Sequence, residues 1–247
     1  MTILLMRPKE KIEISHQYMQ QQGIETVGLA LQCIKPDKSA ADAFAGDMNT
    51  LSEPELKDHL VIVVSPNAAK GIRDIDGLFC KPLSWFAVGK STANALVATQ
   101  NNSPTVITPS EETSEGLLSL EQLQKVNGKQ VSLIKGKHGR TLIEDTLRAR
   151  GARVNLYEVY ARKRLTPELS TSPWRPEEIQ LIVATSTEAM QIAWDTYKHS
   201  WLISTPWLVV SRRLMDFAAK LGIENVLCSN GATDQQLSDA IKQFLER

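Results

Sequence analysis

Cysteine is scarce in this 247-residue sequence: Cys33, Cys80 and Cys228 are odd in number and far apart. They form no C-x-x-C pair and no Cys/His cluster with metal-ligand spacing. That excludes a disulfide framework and a zinc site, and the three read as reduced thiols. No Gly-x-Gly-x-x-Gly follows a strand, and the turn 136–140 has neither the spacing nor the Gly-Lys-Ser/Thr ending of a phosphate-binding loop. No nucleotide cofactor is expected. An excess of one charge is missing too, with 28 basic residues against 28 acidic ones, so neither a nucleic-acid binder nor an acidic tail is expected. No apolar run reaches the ~18 residues of a membrane span, and residues 1–8 lack the pattern of a signal peptide. A cytoplasmic protein without membrane contact is expected. The histidines, His16, His59, His138 and His199, are scattered and give no Ser-His-Asp order.

What is present is alternation. Residues 3–6, 27–34, 60–64, 85–88, 105–107, 131–134, 181–184 and 207–210 are apolar runs of strand length. Residues 153–162 form a longer extended segment. Helical patterns lie between them: 11–22, stopped by Gly23, then 68–72, a helix from Ala93, 115–120, and one ending near Gly151. Fully apolar, β-branched runs such as 60–64 suit strands buried on both faces. Strand, polar turn and helix in repetition predict an α/β fold with a parallel sheet.

The sequence also repeats itself. Ile3-Leu4-Leu5-Met6-Arg7 resembles Val131-Ser132-Leu133-Ile134-Lys135, and each leads through a helix to Gly23-Ile24 or Gly151-Ala152. The stretches 63–68, 86–90 and 113–117 resemble 184–189, 208–212 and 233–237, in the same order. A period this long points to a domain duplication. Pro36 and Pro167 mark two linkers, each expected to end regular pairing. The expected division is one lobe from 1–35 plus 166–247, a second from 38–163, and hinge connectors at 36–37 and 164–165. Asn127-Gly128 reads as a tight turn instead of a boundary.

In open parallel sheets, ligands bind beyond the carboxyl ends of the strands. Here that rim comprises Arg7, Ser65 to Asn67, Gly89 to Thr92, Gly136 to Arg140, Thr185 to Thr187 and Ser211 to Arg213. Short hydroxyls and helix N-termini favour anions. The alternative is that Ser65, Ser91, Thr185 and Ser186 only cap their helices. Tyr157 and Tyr160, three apart in the long segment, face opposite sides of a strand; both as plain strand aromatics is the alternative.

Together these residues resemble the uroporphyrinogen-III synthase family. The resemblance rests on Leu4 to Pro8, Val64-Ser65-Pro66-Asn67-Ala68, Ala87-Val88-Gly89-Lys90-Ser91-Thr92-Ala93 and Ser114-Glu115-Gly116-Leu117-Leu118. The turn Gly136 to Arg140, the run from Arg150 to Arg162 and Thr185-Ser186 continue it over nearly the whole chain. It implies two flavodoxin-like parallel-sheet lobes joined by a two-stranded connector, one lobe discontinuous in sequence, with the active site between them. It further implies a cyclising hydro-lyase of haem biosynthesis that takes hydroxymethylbilane to uroporphyrinogen III and needs no metal or organic cofactor. Water leaves to give an azafulvene, which attacks the substituted carbon of ring D; the spiro intermediate then fragments and recloses with ring D inverted.

The resemblance assigns Tyr160 as the group that assists departure of the hydroxyl, since a phenol can donate a hydrogen bond to a leaving oxygen. Arg7, Ser65, Asn67, Lys90, Ser91, Thr92, Gly136, His138, Arg140, Thr185, Ser186 and Ser211 are the expected substrate ligands, suited to a substrate with eight carboxylates. Val210-Ser211-Arg212-Arg213-Leu214 departs from the family's glycine and hydroxyl pair, and Lys137-His138 stands where small or amide residues are common. A monomer is expected, with transient contact to hydroxymethylbilane synthase as a further expectation. The rival readings are a two-lobed ligand binder of the periplasmic or sugar-repressor type and a flavodoxin-like signalling protein. The first lacks the leader or DNA-binding segment such proteins carry, and the second lacks a phosphate loop or acidic acceptor site.

Overall fold

The computed structural model describes residues 2–97 and 104–246. The chain opens with β1 (Thr2–Met6), α1 (Lys9–Gln21), β2 (Thr26–Pro36), α2 (Lys38–Thr50) and α3 (Glu53–Asp58). Next come β3 (Leu60–Val63), α4 (Pro66–Ile72), β4 (Ser84–Ala87), α5 (Lys90–Val97) and β5 (Val106–Ile107). The middle holds α6 (Ser114–Leu118), α7 (Glu121–Gln124), β6 (Gln130–Gly136), α8 (Leu142–Ala149) and β7 (Arg153–Ser170). The last part is β8 (Ile179–Ala184), α9 (Thr187–Thr196), α10 (His199–Ser204), β9 (Trp207–Val209), α11 (Arg212–Lys220), β10 (Val226–Cys228) and α12 (Asp234–Leu245).

The chain divides into two compact units, one of Met1–Ile34 with Lys163–Arg247 and the other of Lys35–Arg162. Strands of the first run in the order β10-β9-β8-β1-β2, and those of the second β7-β6-β3-β4-β5. Each neighbouring pair joined within a unit is parallel. In the register of the sequence repeat, β6 matches β1, β3 matches β8 and β4 matches β9. Both units therefore have the same strand order, begun at a different point in the chain.

Alternate residues of each strand serve opposite faces, so a strand covered on both sides must be apolar throughout. Ile3 and Leu5 of β1 join Ile12, Met19, Leu237 and Ile241 in one layer. Leu4 and Met6 join Met190, Trp207 and Leu214 in the other. In the second unit, Leu60, Ile62, Phe86, Leu133, Ile143 and Leu147 form the equivalent layer. Gly23 ends α1 at φ 74°, and the Ile24 N–H reaches back to the Met19 carbonyl at 3.0 Å. Gly151 and Ala152 end α8 in the same way, at φ 84° and 3.0 Å. A left-handed residue is what such a helix stop requires, and glycine adopts it freely.

Three sequence expectations need correction. Pro167 does not end regular pairing, because β7 continues through it to Ser170. Residues 38–58 hold α2 and α3, where the sequence pattern suggested only a linker at its start. The edge strand β10 also escaped notice; it is three residues long and poorly buried. Among the described residues no helix is long and apolar enough to cross a membrane.

His59, between α3 and β3, is buried, with Nε2 2.8 Å from Ser132 Oγ and Nδ1 unpartnered. Burial holds its imidazole below the usual 6.5, with the Asp58 carboxylate pulling the other way. Above pH 6.5 the ring is neutral in both states and its folded environment carries no penalty. As pH falls below that value the unfolded chain takes up the proton first, and stability is lost until the folded ring titrates as well. Urea midpoints should therefore drop between pH 7.5 and 5.0, and drop less in His59→Gln. An equal drop in both proteins would dismiss His59 as the cause.

Candidate functional site

In the second unit the carboxyl ends of β3 and β6 meet the middle of β7. The Val64 N–H donates to the Ile134 carbonyl at 3.2 Å, and the Lys137 N–H to the Tyr160 carbonyl at 2.8 Å. Lys135 is level with Glu158, yet the next residue, Gly136, is level with Tyr160. One extra residue in β7, Val159, makes this bulge and re-aims the side chains beyond it. The Tyr160 ring lies over Gly136, where a β-carbon would come within 2.4 Å of the ring's Cζ. Its hydroxyl stands 3.1 Å from Ser65 Oγ, satisfying the polar tip of a buried tyrosine. Ser65 in turn accepts from the Ala68 N–H at 3.2 Å, capping α4.

Tyr157 behaves differently. Its hydroxyl donates to Asp47 Oδ2 at 2.5 Å and its ring lies 5.0 Å from Phe44. Burial, reinforced by Asp47, pushes the phenol up to about 12. It is a core residue holding α2, whereas Tyr160 belongs to the rim.

The turn after β6 is fixed from several sides. His138 takes φ 60°, a left-handed conformation that costs a non-glycine residue about 1 kcal/mol. Lys137 Nζ meets Asp37 Oδ2 at 3.0 Å. Hydrogen bonds from Ser39, then Lys137 and the Ala40 N–H, hold that carboxyl at about 2. Lys137 is thereby engaged within its own unit, and His138 and Arg140 are exposed on the same turn. Lys90 and Ser91 are exposed on the first turn of α5, while Thr92 is buried. Asn67 is half-buried in the first turn of α4. A carboxylate that sequence reasoning passed over also lies here: Glu112 rests against Gly89, 2.3 Å from where a β-carbon would stand.

The first unit repeats part of this arrangement. Ser186 caps α9 by accepting from the Ala189 N–H at 3.1 Å, as Ser65 caps α4. Gln32 Nε2 donates to Ser186 Oγ at 3.4 Å. Gln32 stands at the same offset from Tyr160 as Ile3 from Val131, so the amide and the phenol are counterparts across the duplication. The repeat was the signal that could have found Gln32. Thr185 precedes the cap, Ser91 lies inside α5, and Ser211 holds the cap position of α11 without a side-chain cap bond. Capping therefore accounts for Ser65 and Ser186 alone among the four serines and threonines for which it was the alternative.

Arg7 is buried, and its donors face inward. Nε donates to Ser15 Oγ at 3.1 Å, Nη1 to the Ala232 carbonyl at 3.0 Å and Nη2 to Asp234 Oδ1 at 2.9 Å. Ser15 closes the triangle by donating to Asp234 at 2.7 Å. The charge expected for substrate is met by Asp234, and the guanidinium ties β1 to the start of α12. A cavity of about 500 Å³ lies beside it, lined also by Lys11, Ile14 and Thr233. Among the described residues, no three His, Cys, Asp or Glu side chains gather as a metal ion would require.

Comparison with known proteins agrees with this architecture. The family described as uroporphyrinogen-III synthase HemD matches residues 15–239. A uroporphyrinogen-III synthase of Escherichia coli is 35% identical over 164 residues, covering 64% of this chain and 66% of that protein. One from Proteus mirabilis is 33% identical over 112 residues, covering 44% of this chain and 55% of its own length. Among solved structures, a mutant uroporphyrinogen III synthase of Thermus thermophilus superposes over the whole of both chains with TM-score 0.61 at 14% identity. The Helicobacter pylori enzyme gives 0.59 at 11%, over 100% of this chain and 99% of its own. At such identities the structures speak for the fold, and the sequence match decides the kinship. The chain belongs to the uroporphyrinogen-III synthase family.

Proposed function

We propose that the chain converts hydroxymethylbilane into uroporphyrinogen III with loss of water and inversion of ring D, the two units being the lobes of that fold. Family membership supports the reading, and so does the activity named for the relatives it matches. Within the structure, the Tyr160–Ser65 pair carries it. The Ala68 N–H occupies one lone pair of Ser65 Oγ. With the Ser65 proton directed to the Tyr160 oxygen, the phenolic proton is free for the departing hydroxyl.

The chemistry needs little else from the protein. The terminal C–O bond breaks as the oxygen takes a proton and leaves as water, and the resulting azafulvene is attacked by the substituted carbon of ring D. The spiro compound then opens and recloses in the inverted sense. Holding two ends of a flexible chain together supplies much of the acceleration, because a positioned intramolecular reaction avoids the entropy of encounter. Ser65, Asn67, Lys90, Ser91, Thr92, Gly136, His138 and Arg140 of one unit, with Thr185, Ser186 and Ser211 of the other, are the proposed carboxylate ligands. Arg7 acts from behind, by fixing the rim it supports.

The test supplies hydroxymethylbilane and separates isomers I and III by chromatography. Isomer III should dominate, and isomer I alone would sink the assignment. Tyr160→Phe should lower kcat about tenfold, the worth of one hydrogen bond, and raise the share of isomer I. Full turnover at an unchanged isomer ratio would refute the donor role.

A further inference from the structure

The cation Arg7 has a counterpart across the duplication. Lys135, the penultimate residue of β6, stands at the repeat position of Arg7 after β1, and it too is buried. Each reaches a backbone carbonyl of a rim loop and a carboxylate in the first turn of the helix that loop enters. For Arg7 these are Ala232 at 3.0 Å and Asp234 at 2.9 Å. For Lys135 they are the Arg140 carbonyl at 3.5 Å and Glu144 Oε2 at 4.0 Å. The other oxygen of Glu144 is held by Arg148 at 2.5 Å. The Lys135 stem also lies beneath the turn, with Cε 3.4 Å from where a β-carbon on Gly139 would stand.

Stability alone does not explain a charge in this place. A buried ammonium loses its hydration, and long contacts return only part of that loss, so an apolar residue of similar length would serve the core equally well. What methionine lacks is a donor that spans the turn, from the carbonyl that ends it to the helix beyond. We infer that Lys135 is a positioning residue for the proposed reaction, holding the turn Gly136 to Arg140 so that its exposed groups meet the substrate in one arrangement.

This inference rests on the cyclase reading, and the experiment separates the two. Wild-type protein forming no isomer III would count against the cyclase reading itself. With wild-type activity present, Lys135→Met should raise KM for hydroxymethylbilane about tenfold, the worth of one weak charge-assisted hydrogen bond, with kcat within twofold and an unchanged melting temperature. Lys135→Arg should restore KM. Independently of turnover, amide exchange over residues 136–141 should accelerate in Lys135→Met and stay local. Unchanged KM and exchange in a folded variant would overturn the proposal, as would a fall in kcat matched by a fall in melting temperature. Glu144→Gln removes the second anchor without adding volume and covers the case in which Lys135→Met does not fold. It should raise KM about threefold, less than the loss of the donor itself, and an unchanged KM would overturn the proposal too.

Discussion

Gly136→Ala is expected to unseat Tyr160 and to cost roughly 2 kcal/mol, the usual range for forcing one extra carbon into a packed site. The new methyl would stand 2.4 Å from Cζ and under 3 Å from both Cε atoms of the ring, far inside the ~3.5 Å of carbon contact. Gly136 does not occupy the left-handed region, so the backbone itself accepts alanine and the substitution isolates this one contact. The ring must swing away from Ser65, and turnover should fall at least as far as in Tyr160→Phe. Urea unfolding of Gly136→Ala, Tyr160→Ala and the double variant checks the cause. The double variant should be much more stable than the sum predicts, because neighbours that share a clash are not additive. Strict additivity would mean that the ring and the glycine do not meet as described.

The second large effect concerns the Arg7 triangle. Asp234→Ala leaves a guanidinium with 5% of its side chain exposed and without its counter-ion. Breaking a buried pair from one side typically costs ~3–5 kcal/mol. With Asp234 itself 24% exposed, water relieves part of that, and about 3 kcal/mol is expected. Arg7→Met with Asp234→Ala should recover much of the loss, since the orphaned charge is then gone. A single variant within 0.5 kcal/mol of wild type by urea midpoint, about the scatter of an ordinary surface substitution, would show that the triangle is not what fixes α12.

Strands with two covered faces were plain in the sequence because they are apolar throughout their length, as in Ile3 to Met6 of β1 and the whole of β3. α2 was harder. It buries only Ala41, Phe44 and Met48, and the alanines, aspartates and serine around them give little periodic contrast. The tail of β7 is almost entirely exposed and so carries no alternation to read. A proline there breaks the expected pattern without ending the strand, because an exposed edge tolerates a missing N–H.

The rim followed a similar division. Ser65 and Tyr160 could be read as separate motif positions, but their meeting depends on the bulge at Val159, which leaves no mark in the residue types. Gln32 and Lys135 were overlooked for another reason. Each is one polar side chain within a largely apolar strand, and only the duplication says that its counterpart does something similar.

The Lys35–Arg162 unit is an uninterrupted stretch set inside the other, which gives the molecule an order of assembly. Its two ends are clasped together, the Asp37 N–H donating to the Val159 carbonyl at 2.8 Å. Before that clasp forms, β1 can pair with β8 only by closing a loop of ~170 residues, and afterwards the loop is effectively ~50 residues long. By loop-closure entropy the difference is about 1 kcal/mol. On the ribosome β1 emerges together with its neighbour β2, but its other neighbour, β8, follows only after the whole inserted unit has been made. An early strand thus waits for a late one before its second edge is covered.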